Sequence, residues 1–277
     1  MAAVFLTGSS FLSTGTGPKA PLIVAHRGAS SGAPENTLAA FNLAWQQNAD
    51  AIEGDFYLTK DGRIVCIHDP TTLRTAGVDL WVGQSTLQQL RRLDVGSWKG
   101  KKWGGEKIPT IEEVLATIPE GKRIFVHIKC GAKIIPSLHE AVRESSVKPE
   151  QIIILTGDTA VAAAAKKQLP GSFVVWLIDF DGDAYSKQRS AYLRQLIETL
   201  KALGVDGLSI NAHTPIDHGF VDALHRNRIE LHAWNVDDPV TTAILWLMGA
   251  DSLTTDHPGW FMVLPRIMGG NATAVAS

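Results

Sequence analysis

Apolar and β-branched residues come in short runs along this chain, and longer amphipathic segments separate the runs almost from end to end. This alternation is typical of repeated strand–helix units, which build parallel sheets. The amphipathic segments predict helices at about residues 110–118, 132–145, 159–168, 190–203, 216–227 and 239–248. The short runs predict nine strands, at Leu22–His26, Ala51–Asp55, Arg63–His68, Arg123–Lys129, Ile152–Leu155, Phe173–Leu177, Gly207–Ile210, Glu230–Trp234 and Ser252–Thr255.

The third run is interpreted as the return strand of a β-hairpin after strand 2. Asp61-Gly62 lies between two strand-like runs, and this dipeptide favours a two-residue type I′ turn. In that register Tyr57 faces Cys66 and Asp55 faces His68, with opposed Cβ atoms about 5 Å apart. The eight strands that remain are the number needed for a (β/α)8 TIM barrel of the α/β class.

The segment of about 69–109 contains many glycines, several tryptophans and one short helical stretch. We predict that it is a capping insertion over the mouth of the barrel, and that residues 21–264 form a single barrel domain, since barrels of about 250 residues form one domain. Residues 1–20 are expected to be either a disordered leader or the remnant of an export signal, which favours a periplasmic or secreted location over a cytoplasmic one. Residues 265–277 are small and polar and predict a disordered tail.

The composition excludes some classes of function. With 26 Lys and Arg against 28 Asp and Glu, the chain has no basic field that would attract nucleic acid. No run of 18 or more apolar residues is present, so we expect no stable membrane insertion. The two cysteines are interpreted as free thiols, because a chain of 277 residues can bury a sufficient core without a disulfide. The sequence leaves the oligomeric state open.

Polar side chains collect where the predicted strands end, and in a TIM barrel the carboxyl ends of the strands carry the reactive groups. These side chains belong to His26, Arg27, Glu53, Asp55, His68, His127 and Lys129.

The types of these residues suit the cleavage of a phosphodiester. Glu53 and Asp55 lie on one face of a strand, where two carboxylates stay ionised most readily around a cation; the alternative is a pair of solvated acids. Oxygen ligands favour a hard divalent ion such as Mg²⁺ or Ca²⁺. Two histidines can exchange protons with the attacking and leaving oxygens. Arg27 and Lys129 offer positive charge to a phosphate group.

Several motifs together resemble the glycerophosphodiester phosphodiesterase family. They are His26-Arg27-Gly28, Pro34-Glu35-Asn36-Thr37, Ile52-Glu53-Gly54-Asp55, Thr59-Lys60-Asp61-Gly62, His68-Asp69, Asp94-Val95-Gly96-Ser97-Trp98-Lys99, Ile108-Pro109-Thr110, Ala233-Trp234-Asn235-Val236 and Thr254-Thr255-Asp256. The likeness therefore covers most of residues 22–260. It implies a TIM barrel enzyme, a phosphoric diester hydrolase, that hydrolyses glycerophosphodiesters to glycerol phosphate and an alcohol.

The same resemblance implies roles for individual residues. His26 and His68 are the expected catalytic pair. Glu53 and Asp55 are expected to hold one divalent metal ion, Mg²⁺ or Ca²⁺. Phosphate contacts are expected from Arg27 and Lys129, and an alcohol pocket from Trp234 and Glu35.

One position departs from the family pattern, because the third barrel strand ends in His127-Ile128-Lys129 where the family usually has Glu-Ile-Lys. If His127 is the third metal ligand, a mixed nitrogen and oxygen set favours Mn²⁺, Fe²⁺ or Zn²⁺. Otherwise His127 either weakens the metal site or is only a packed polar residue. The alternatives for function are a phospholipase D-like lyase that forms a cyclic phosphate from lysophospholipids, and a weakly active or noncatalytic phosphodiester-binding relative.

Overall fold

A computed structural model describes residues 19–180 and 182–262. The predicted tail, and all but the last two residues of the predicted leader, lie outside the described residues. The strands are β1 (Leu22–Ala25), β2 (Ala51–Leu58), β3 (Ile64–Cys66), β4 (Arg123–Ile128), β5 (Ile152–Thr156), β6 (Phe173–Leu177), β7 (Gly207–Asn211), β8 (Glu230–Trp234) and β9 (Ser252–Thr255).

Eight of these strands are parallel and close into a barrel. β1 pairs with β2 on one side and with β9 on the other, and the intervening pairs run through β4 to β8 in chain order. β3 lies outside the barrel, antiparallel to β2. The predicted (β/α)8 TIM barrel with a hairpin after strand 2 is therefore confirmed.

The helices are α1 (Leu38–Gln46), α2 (Leu73–Ala76), α3 (Leu87–Leu90), α4 (Ile111–Leu115), α5 (Ile135–Glu144), α6 (Thr159–Gln168), α7 (Gly182–Lys187), α8 (Arg189–Leu203), α9 (His218–Arg226) and α10 (Pro239–Met248). Polar side chains cap several of them at the start: Thr37 Oγ1 accepts from the amide of Ala40, and Asp238 accepts from two amides of α10. The helix α7, which buries Tyr185 against Phe180, was not predicted from the sequence. None of the helices in the described ranges is long and apolar enough to cross a membrane.

The predicted register of the hairpin is wrong by one residue. Tyr57 pairs with Val65, not with Cys66, and the amide of Ile67 donates to the carbonyl of Asp55. Asp55 therefore does not lie opposite His68 in the ladder.

The turn explains the shift in register. Thr59 N donates to the carbonyl of Arg63, so three residues form the loop, and of these only Gly62 has a positive φ, 77°. A type I′ turn needs positive φ at two central residues, whereas a three-residue loop needs one left-handed glycine. Asp61 also accepts a 3.0 Å hydrogen bond from the amide of Leu87, which ties the turn to the neighbouring insertion.

Apolar side chains form three clusters. The barrel interior is filled by a small set that includes Phe125 and Val175, and a larger cluster lies between the barrel and its helices. The insertion has its own core, in which Val82 and Val95 pack against Val65 of β3. The hairpin thus supports the insertion of residues 69–109, predicted above to cap the barrel.

Candidate active site

The loop after β1 is held in a tight left-handed turn. Arg27 has φ 54° and Gly28 has φ 80°, and a Cβ on Gly28 would lie 2.6 Å from the backbone of Ala40. Glycine is required there because no side chain fits and L-residues avoid this φ. The turn brings the amide of Arg27 to 2.9 Å from Glu53 Oε2, which fixes one carboxylate of β2.

His26, at the end of β1, is held by a carboxylate from the other end of the chain. Its Nδ1 lies 2.7 Å from Asp256 Oδ1, just after β9, and the hydroxyl of Ser30 donates to the same oxygen. The amide group of Asn235 also lies 2.7 Å from Nδ1. Burial lowers the pKa of His26, but the hydrogen bond to Asp256 and the charge of Glu53 outweigh it and raise the pKa above 6.5.

His68 is held in the same way by its neighbour in sequence. Its Nδ1 lies 2.6 Å from Asp69 Oδ1, and Arg74 of α2 donates to the other oxygen of Asp69 at 2.6 Å. Burial raises the pKa of Asp69, but the hydrogen bonds to Arg74 and His68 lower it below its usual value. His68 Nε2 lies 3.4 Å from Lys129 Nζ, which lies 3.7 Å from Asp55 Oδ1.

Glu53, Asp55 and His127 come together on adjacent strands. Both carboxylates are buried, and His127 Nδ1 lies 3.1 Å from Asp55 Oδ1 and 3.5 Å from Glu53 Oε1. One ligand atom from each residue lies within 4.8 Å of the others. This separation and the set of two carboxylates with one imidazole fit a divalent cation.

The charges in this cluster shift the pKa values of its members. Burial raises the pKa of Asp55, but the hydrogen bond to His127 and the cations of Arg27 and Lys129 hold it well below its usual range. Burial lowers the pKa of His127, but its two carboxylate partners raise it above 6.5. Asp55 also accepts a 2.9 Å hydrogen bond from the side chain of Asn36.

A cavity of about 430 Å³ opens between these groups at the carboxyl ends of the strands. Its polar lining includes a set of residues that were all predicted from the sequence: His26, Arg27, Glu53, Asp55, His68, His127 and Lys129. Trp234 and apolar residues such as Leu155 and Leu177 also line it. So does His232, for which no role was predicted.

Glu35 does not line this cavity. Its carboxylate accepts from Arg27 at 3.0 Å and from two nitrogens of Arg74, at 2.7 and 2.8 Å. Arg74 therefore joins the carboxylate that holds Arg27 to the one that holds His68. Arg74 and the partner role of Asp256 were not predicted from the sequence, although Asp256 belongs to one of the motifs that carry the resemblance.

An α/β barrel whose mouth gathers two carboxylate-anchored histidines, an acidic pair and two cations has the arrangement of an enzyme that acts on a phosphate ester. The model of the glycerophosphoryl diester phosphodiesterase family matches residues 26–260. The chain belongs to this family.

Relatives and solved structures agree with this assignment. The chain is 32% identical over 252 residues to a glycerophosphodiester phosphodiesterase of Caldanaerobacter subterraneus, and the match covers 88% of this chain and 98% of that protein. It is 34% identical over 247 residues to the Bacillus subtilis protein YhdW, and that match covers 87% of this chain and 96% of YhdW. A phosphodiesterase of Oleispira antarctica, solved with the product sn-glycerol-3-phosphate, matches with TM-score 0.79 and 26% identity over 89% of this chain and 97% of that one.

Proposed function

We propose that the chain hydrolyses glycerophosphodiesters to glycerol phosphate and an alcohol, with His26 and His68 as the proton-transfer groups. The observation that carries the proposal is that both rings have Nδ1 against a carboxylate, Asp256 and Asp69, and both line one cavity. A carboxylate at Nδ1 fixes the ring and leaves Nε2 for the substrate. One ring takes the proton of the attacking water and the other gives a proton to the leaving alkoxide.

A buried donor supports a polar ligand in this cavity. Trp234 Nε1 is buried and has no hydrogen-bond partner among the described residues, whereas Arg27 Nε lies 3.4 Å from Asp55 Oδ2. Leaving such donors unpaired is costly, so a ligand that supplies acceptors is favoured. In our proposal Arg27 and Lys129 bind the phosphate oxygens, and Trp234 faces the alcohol.

Glu53, Asp55 and His127 would hold a divalent cation beside the phosphate. Such an ion would supply Lewis-acid stabilisation of the negative charge that develops on the phosphate. The side-chain amide of Asn36 donates to Asp55 Oδ2, which leaves Oδ1 of the same carboxylate to face His127. The histidine ligand favours Mn²⁺, Fe²⁺ or Zn²⁺ relative to an all-oxygen site.

The proton-transfer assignment is tested with His26→Ala and His68→Ala on glycerophosphocholine under saturating metal. Each change is expected to lower kcat at least about 100-fold, because general acid–base groups contribute on that scale. His139→Ala is the matched control, since His139 is exposed on α5. Wild-type turnover in either site variant would overturn the assignment, and detection of a cyclic phosphate product would indicate a lyase instead.

The metal assignment is tested by elemental analysis and by activity with Mg²⁺, Ca²⁺, Mn²⁺ and Zn²⁺ added in turn after chelation. The wild type is expected to prefer Mn²⁺ or Zn²⁺, and His127→Glu to gain activity with Mg²⁺ or Ca²⁺. Full activity in the chelated protein would contradict a metal-dependent reaction. An unchanged ion preference in His127→Glu would show that His127 is not a ligand.

A further inference from the structure

The cap, defined as residues 69–109, holds four of the eight large hydrophobic side chains that are exposed in the described part of the chain. Leu73 is 53% exposed, Val78 47%, Trp81 55% and Trp98 44%. Exposed apolar side chains concentrated in one part of a fold suit an interaction surface. This set, which we call the cap surface, has no role in the proposed reaction.

The backbone holds these side chains outward. Thr71 forms an antiparallel bridge with Trp81, and Thr72 bonds to the carbonyl of Val78, so Leu73, Val78 and Trp81 belong to one closed loop. The loop rests on the cap core through the adjacent Val82.

Trp98 is fixed to the same core from the second loop of the cap. Its Nε1 donates to the carbonyl of Val95 at 2.8 Å, and Val95 packs with Val82. The two loops therefore form one supported unit rather than two independent tails.

The cap has the opposite charge to the rest of the protein. Its seven Lys and Arg exceed its four Asp and Glu by three, whereas the whole chain has net charge −2, so the remainder carries −5. Two of the seven, Arg74 and Arg91, pair with Glu35 and Glu113 outside the cap, and Asp79 is exposed beside Val78. Arg92, Lys101 and Lys102 are exposed, and Lys99 Nζ lies 5.6 Å from the ring of the exposed Trp98. Exposed tryptophans next to lysines suit the headgroup region of a bilayer.

The cap surface lies on the part of the fold that borders the site. Lys99 of the cap donates to the carbonyl of Ser30, whose hydroxyl bonds to Asp256, the partner of His26. Arg74 donates to Glu35, in the turn that precedes α1. These contacts show that the cap lies beside the mouth of the barrel.

We propose that the cap surface docks reversibly on an anionic phospholipid bilayer. Apolar and aromatic side chains enter the headgroup region while the excess positive charge of the cap attracts anionic lipid. Docking orients the rest of the protein, with charge −5, away from the membrane. A second copy of the chain is a poorer occupant, because pairing two caps would bring two net positive surfaces together.

The test is co-sedimentation of the full-length protein with vesicles of phosphatidylcholine alone and with added phosphatidylglycerol, at low and at high salt. Binding is expected only to the anionic vesicles and is expected to fall with salt. Val78→Ser/Trp81→Ser and Lys101→Glu/Lys102→Glu are each expected to weaken binding at least about tenfold. All of these variants should keep wild-type turnover of water-soluble glycerophosphocholine, which verifies that they are folded.

Val240→Ser/Leu247→Ser is the matched control, since Val240 is 68% and Leu247 56% exposed on α10, which carries no charged residue. It should bind vesicles as the wild type does. No binding to anionic vesicles, equal binding to neutral ones, or loss of binding only in the α10 variant would overturn the proposal. So would a cap-dependent dimer in size-exclusion chromatography with light scattering. A failure here leaves the hydrolysis assay unaffected, so the two proposals are tested separately.

Discussion

His232 makes the stability of the barrel depend on pH in a way that can be calculated. It is buried on β8, with its Nδ1 2.8 Å from Ser252 Oγ and its ring edge-on to Phe125 at 5.6 Å. Burial lowers its pKa from 6.5 to about 4. The folded protein therefore holds the neutral ring, whereas the unfolded chain takes up a proton near pH 6.5.

This difference in pKa between the folded and unfolded states sets the direction in which stability changes with pH. Below pH 6.5 the unfolded state binds more protons than the folded state, so this residue's contribution to stability falls as the pH decreases and levels off below about 4. The two pKa values correspond to a full loss of about 3 kcal/mol, and to about 2 kcal/mol between pH 7.5 and pH 5. His26 and His127, whose pKa values are raised, contribute with the opposite sign.

A matched variant separates His232 from these other groups. His232→Asn cannot be protonated and places an amide group where Nδ1 contacts Ser252, and both proteins are unfolded with urea between pH 7.5 and pH 5 at one metal concentration. The difference in free energy of unfolding, wild type minus variant, is expected to decrease by about 2 kcal/mol over this range. A difference that stays constant would refute the low pKa of His232.

Three further predictions concern the loops around the site. Asp256→Asn should lower kcat at least about tenfold with little change in KM, because His26 loses the carboxylate that fixes its ring; steady-state kinetics would contradict this if both constants stayed the same. Arg74→Lys should lower kcat/KM about tenfold, because lysine cannot hold two carboxylates in a bidentate geometry, and Arg74→Ala should be no better than Arg74→Lys. Gly28→Ala should cost about 2 kcal/mol or more, seen as a lower Tm, because its Cβ would collide with Ala40; an unchanged Tm would argue against this close contact.

The local features of this protein could be predicted from the sequence. Strand-length apolar runs identified the eight barrel strands to within about two residues at most ends, because burial on both faces of a parallel strand requires such runs. Residues at the strand ends identified the cavity, since parallel strands bring their carboxyl ends to one edge. His68 lines this cavity, as predicted, although the predicted hairpin register was wrong.

Contacts between distant segments were decided only by the tertiary structure. The hairpin register depends on a three-residue loop whose Asp61 is held by the cap, and turn residues alone do not encode that contact. Asp256 lies 230 residues from His26 and meets it because β9 closes the barrel against β1. Glu35, which the family resemblance implied for the alcohol pocket, forms an ion pair with Arg74 of the cap. Periodicity in a sequence determines which elements form and which faces they bury, whereas the pairing of charged side chains depends on how closure of the barrel and folding of the cap bring those faces together.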